Sequence, residues 1–119
     1  MADGRVAADA PAAHLRAAIA EELGWRGALS DGQVGIQGPG QVTTPGPDFI
    51  TYDSRAGNII AWDAKYTTSS VLPRSVSPSC WMYEIRSGVA NYSGSYADEI
   101  QQAFTNGQIT TRRFLYPPR

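Results

Sequence analysis

The chain has 119 residues, 42% of them hydrophobic and 18% charged, with a formal net charge of −1. That length supports one domain with its own core, and the composition excludes an intrinsically disordered chain. The near-neutral balance excludes attachment to nucleic acid through overall basicity, so a nucleic-acid partner must meet a local basic patch.

The single cysteine, Cys80, has no internal disulfide partner, so nothing here requires an oxidising compartment. It reads as a buried, inert thiol, since the only histidine, His14, is remote in sequence. No apolar run reaches the length of a membrane span, and the N-terminus lacks the apolar core of a signal peptide. Residues 1–8 read as a leader ahead of one domain.

Asp9-Ala10-Pro11 is a helix start, with Asp9 as cap and proline in the first turn. The helix is expected to run from Pro11 to Leu23 and to stop at Gly24, burying the stripe Leu15, Ile19 and Leu23. At about 100° per residue, Glu22 falls about 20° from Leu15, at the edge of that stripe, and can lean over a sheet. Glu21 falls on the opposite side, near His14, where both should face water.

Residues 24–47 are rich in glycine and proline. Gln33 to Gln37 alternates weakly and is the candidate first strand, turning through Gly38-Pro39-Gly40 to pair with the next; Gln41 to Thr44 is an alternative continuation. Asp48 to Tyr52 and Asn58 to Lys65 are rich in β-branched and aromatic residues, and turn chemistry lies between them. If Asp53 pairs with Asn58 around the loop Ser54-Arg55-Ala56-Gly57, Asp48 lies opposite Asp63. Asp63 and Lys65 then share a face, because side chains alternate with period two. A slip of one residue would send Asp48 to the other side. Pro45-Gly46-Pro47 stiffens the entry to Asp48.

Beyond Lys65 comes a Ser/Thr/Pro-rich stretch in which Thr67, Thr68, Ser69 and Ser70 are either phosphate donors or a polar loop. Ser77-Pro78-Ser79 resembles a helix cap. Cys80 to Arg86 fits a helix or a strand, with helix preferred. Tyr96 to Thr105 is a helix with Tyr96, Ile100 and Phe104 on one side, ended by Asn106-Gly107. Gln108 to Tyr116 is the last strand, and Arg112 and Arg113 on it face opposite ways, so only one reaches the face of Asp63. With Arg74, Arg86 and Arg119 they are either phosphate contacts or solubilising charges. Trp25, Trp62 and Trp81 are core or groove walls.

Two facing carboxylates repel unless a cation sits between them. Magnesium or manganese suits an all-oxygen set, with zinc as a further candidate. One or two such ions beside a lysine suit attack of water on a phosphodiester. Pro47-Asp48 followed by Asp63-Ala64-Lys65 resembles the PD-(D/E)XK motif of restriction-endonuclease-like nucleases. The resemblance implies an α+β fold with an α-β-β-β-α-β core and a central mixed sheet flanked by helices. It implies a divalent-metal endonuclease with Asp48 and Asp63 as metal ligands, Lys65 as the catalytic cation and a helix glutamate, here Glu22, as third carboxylate. Small members of this kind are similar to the C-terminal toxin domains of contact-dependent growth inhibition and other polymorphic toxins. That setting implies release from a larger secreted or cell-surface protein, action in the cytoplasm of a target bacterium on tRNA or DNA (tRNA preferred), and neutralisation by an immunity protein. The alternatives are a repair- or junction-type DNase and a binding module whose hairpin charges are merely solvated.

Overall fold

The computed structural model describes residues 2–40, 46–67 and 76–117, with side chains from residue 15 onward. Helix α1 spans Ala2–Ser30, followed by strands β1 (Val34–Gln37), β2 (Phe49–Asp53) and β3 (Asn58–Tyr66). A 3₁₀ turn (Pro78–Trp81) leads into α2 (Met82–Asn91), then α3 (Ala97–Thr105) and β4 (Ile109–Tyr116). The architecture is α+β: one four-stranded mixed sheet in the order β1-β2-β3-β4, flanked by helices. β1, β2 and β3 pair antiparallel, and β4 runs parallel to β3. Parallel pairing needs a long crossover, which α2 and α3 supply.

Alternation along the strands divides the core in two. Ile50, Tyr52, Ile59 and Ala61 point to one face and pack with Ile85 and Val89 of α2 and Ile100 and Ala103 of α3. Phe49 and Ala64 point to the other and pack against Ala20 and Ala28 of α1, with Trp25, Trp62, Phe114 and Tyr116 around them. Phe49 is the hub of this second cluster, stacked on Trp62 and met edge-on by Trp25. The tryptophans at 25 and 62 therefore serve as core walls.

α1 differs from the sequence expectation in three respects. It starts at Ala2 rather than at Asp9, so the segment expected to be a leader is helical. It continues through Gly24 and ends at Ser30, where Gly32 takes φ +89° and Gln33 donates its amide to the Ala28 carbonyl, 3.1 Å away. That left-handed residue is the actual stop. Gly24 instead marks a close crossing: a Cβ there would lie 3.0 Å from the Phe114 ring and 3.1 Å from Phe49. Third, the Leu15-Ile19-Leu23 stripe is not buried; these residues are 61%, 38% and 37% exposed. The face toward the sheet is the buried small-residue row Ala20, Gly24 and Ala28, which lets the helix approach more closely than leucines would allow.

The other elements fall where the sequence places them. Ser77 caps the 3₁₀ turn by accepting from the Ser79 amide, and residues 82–86 are helical. Cys80 is exposed rather than buried, because it sits on that short turn outside both clusters. No helix among the described residues is long and apolar enough to cross a membrane. The alternative continuation at 41–44, the polar run 68–70, Arg74, Arg119 and the side chain of His14 lie outside the described residues.

Candidate active site

The hairpin of β2 and β3 has the register that the site requires. Asp53 opposes Asn58 and Phe49 opposes Trp62, so Asp48, one step beyond the end of β2, comes alongside Asp63. The turn between them is closed by the Gly57 amide donating to the Asp53 carbonyl at 2.7 Å, with Gly57 at φ +73°. The Asp53 side chain accepts from the amides of Arg55 and Ala56. The residues flanking this turn thus have structural work of their own, remote from the opposite end of the hairpin.

Asp48 is held at both ends. Its amide donates to the Trp62 carbonyl at 2.8 Å, and its Oδ2 accepts from the Ala64 amide at 2.7 Å. Ala64 N–H is the next donor along the same edge of β3, so the Asp48 carboxylate stands in for a strand carbonyl. Pro47, fully buried, anchors the chain immediately ahead of Asp48. A carboxylate fixed in this way loses little side-chain freedom on binding a ligand.

Burial pushes the Asp48 carboxyl above its ordinary range. The Ala64 amide opposes this, the Asp63 carboxylate adds to it, and Lys65 pulls it back; a hydrogen bond to Asp63, open to a protonated Asp48, raises it further. The two acids are thus close enough to feel each other. The Lys65 Nζ lies 3.6 Å from Asp63 Oδ1. One partner of that pair is half-exposed, so it contributes little to stability and serves to place the ammonium.

Of the two adjacent helix glutamates, the structure brings Glu21 rather than the expected Glu22 towards Asp48. Glu22 is exposed and accepts from Arg26 Nε at 3.0 Å, one turn along α1. Glu21 is half-buried and lines a cavity of about 380 Å³ together with Arg16, Asp48, Ala64, Lys65 and Tyr66. Burial raises the Glu21 carboxyl, and Asp48 raises it further. The physical reason is the inverted helix face. With Ala20, Gly24 and Ala28 against the sheet, Glu21 falls about 50° from the centre of that face and Glu22 about 150°. Arg16, which the sequence reading did not single out, stands at the mouth with its guanidinium 5.6 Å from the Tyr66 ring centroid. The signal for both residues was the spacing of alanines and glycine on α1.

Set against known proteins, the chain matches no family model, no curated protein and no solved structure. The site therefore rests on its own chemistry.

That chemistry fits a hard divalent cation. Among the described residues no three histidine, cysteine or acidic side chains are drawn close enough to form a complete ligand group. Magnesium, however, is commonly held through one or two carboxylates, with water and substrate phosphate oxygens completing its shell. The pair Asp48 and Asp63 offers that partial set, and their mutual repulsion and desolvation are the penalties a cation relieves. The donors that Asp48 and Asp63 offer are all oxygen, which favours magnesium or manganese over zinc.

Proposed function

We propose that this chain is a divalent-metal-dependent endonuclease that hydrolyses phosphodiester bonds. The observation that carries the reading is the register of β2 and β3, which brings Asp48 beside Asp63 with Lys65 on the same stretch of strand. The observed order α-β-β-β-α-α-β with a mixed sheet is compatible with the α+β core expected from the restriction-endonuclease-like motifs that Pro-Asp and Asp-Ala-Lys resemble, with one helix more between β3 and β4.

In this reading Asp48 and Asp63 would hold the metal, and Glu21, in place of Glu22, comes from α1 to the cavity that Asp48 lines. Bound there, the cation supplies Lewis-acid charge against the transition state and makes water a better nucleophile. The remaining work belongs to the chain. Water oxygen forms a bond to phosphorus, the bond from phosphorus to the leaving oxygen breaks, and the proton shed by water is matched by one taken up at the leaving oxygen. Lys65 Nζ donates to a non-bridging oxygen as negative charge develops, and Asp63 keeps it in reach. Arg16 at the mouth and Lys65 give the acidic cavity a cationic rim for a polyanion, which the net charge of −1 does not supply.

The substrate we propose is tRNA, and the setting is a toxin domain neutralised by an immunity protein. Both follow from the resemblance to contact-dependent and polymorphic toxins rather than from the cavity. Incubating the protein with tRNA or duplex DNA in magnesium, manganese or zinc tests the reading. Cleavage of tRNA that stops with chelator supports it. Degradation of DNA with intact tRNA replaces the substrate, and cleavage of neither overturns the endonuclease.

A further inference from the structure

Arg113 takes no part in the site described so far, yet it stands next to it. It lies on β4 directly opposite Asp63 and on the same sheet face. Arg112 turns to the other face, its guanidinium 6.0 Å from the Trp62 ring centroid. Arg113 Nε is buried and has no hydrogen-bond acceptor among the described residues, and Arg113 makes no ion pair among them, in contrast to Arg26 and Lys65. A buried N–H donor on a permanent cation is costly to leave unmade.

The donor lies beside a small cleft of about 30 Å³ lined by Asp63, Val76, Trp81, Thr111, Arg112 and Arg113. The cleft has room for an oxygen atom and none for a base or sugar. Thr111 cannot serve an incoming donor-seeking group, since its hydroxyl donates to the Val76 carbonyl at 2.6 Å. Among the donors that line the cleft, Arg113 Nε–H is the one both buried and without an acceptor among the described residues. Asp63 lines this cleft, and its ion-pair partner Lys65 lines the neighbouring cavity with Glu21 and Asp48.

We propose that Arg113 is a phosphate-binding residue: its Nε–H and guanidinium take a non-bridging oxygen of the backbone phosphate next to the one being cleaved. This subsite rests on the endonuclease reading for its biological ligand. A nucleic-acid strand crossing the end of β3 would present one phosphate at the cavity lined by Asp48 and Lys65 and the next at the cleft lined by Arg113. Guanidinium is suited to this task because its charge is permanent and its donors are fixed in a plane. The cleft's size selects the phosphate oxygen alone, so the contact carries position and not sequence.

The test follows the Arg113 Nε–H resonance of ¹⁵N-labelled protein during titration with dimethyl phosphate, a monoanionic phosphodiester. Asp63→Asn protein is titrated in parallel to remove the neighbouring negative charge. The expected result is a saturable shift at Arg113, stronger in Asp63→Asn, with Arg112 unmoved. An unmoved Arg113 in both proteins, or one that moves only in step with Arg112, overturns the subsite and leaves an arginine satisfied by water. This readout needs no cleavage, so it decides the subsite even if the endonuclease reading fails. In the cleavage assay, Arg113→Lys should raise KM roughly tenfold with little change in kcat and lower the salt slope of binding by about one. Cleavage with unchanged KM and salt slope overturns the subsite while leaving the endonuclease standing.

Discussion

The two halves of β3 are built for different purposes. Ile59, Ile60 and Ala61 are fully buried between the helical layers. Four residues later the same strand carries Asp63 and Lys65, one partly buried and the other half-exposed, where the cover of both layers thins. The first half makes the sheet cohere, and the second spends part of that rigidity on holding like charges near each other. The lesson is that stability and the proposed chemistry are separable along a single strand, and substitutions should separate them.

The largest expected effect is on activity at the second half. Asp63→Asn should lower cleavage by on the order of 10³-fold, comparable to removing a principal transition-state contact, while the urea midpoint stays at or above that of wild type. If Asp63→Asn unfolds the protein, the division fails. Ile59→Ala should do the reverse, costing roughly 2–5 kcal/mol in urea unfolding through lost burial and a cavity, while the protein that remains folded keeps its turnover. A smaller effect separates adjacent glutamates: Glu21→Gln should slow cleavage roughly tenfold, and Glu22→Gln should leave it unchanged in the same assay. Equal effects of the two would return the third carboxylate to the open.

The smallest effect is on pH dependence. Asp48 has a folded pKa raised above its unfolded value, so the folded state holds that proton more tightly. Its contribution to stability is complete below the unfolded carboxyl range and is lost as pH rises through the raised value. In chelator, the stability of Asp48→Asn relative to wild type should therefore grow from acid toward neutral pH, measured as the difference in urea midpoints. A difference that shrinks over this interval would show Asp48 to be stabilised as an anion.

Much of this was legible in the sequence because hairpins are local. The Asp53–Asn58 turn sets the register, and the register alone brings 48 beside 63. The capped turn at Ser77, the helix at 97–105 and the last strand were readable for the same reason, from caps and short periods. The rotation of α1 was not. Leu15, Ile19 and Leu23 form the more apolar stripe, yet the helix presents alanines and glycine to the sheet because Phe49, Phe114 and the tryptophans already fill the space. That preference depends on residues far along the chain. The choice between Glu21 and Glu22 followed from it, as did the length of α1, since Gly24 served a close crossing instead of a stop. Which arginine of β4 shares the face of Asp63 waited on the parallel register of β3 and β4, which no local signal encodes.

Calorimetric titration of manganese into wild type, Asp48→Asn, Asp63→Asn and Glu22→Gln tests the central claim most directly. The account predicts saturable binding to wild type and Glu22→Gln that is lost when either aspartate is neutralised. Indistinguishable titrations for all four proteins would contradict it.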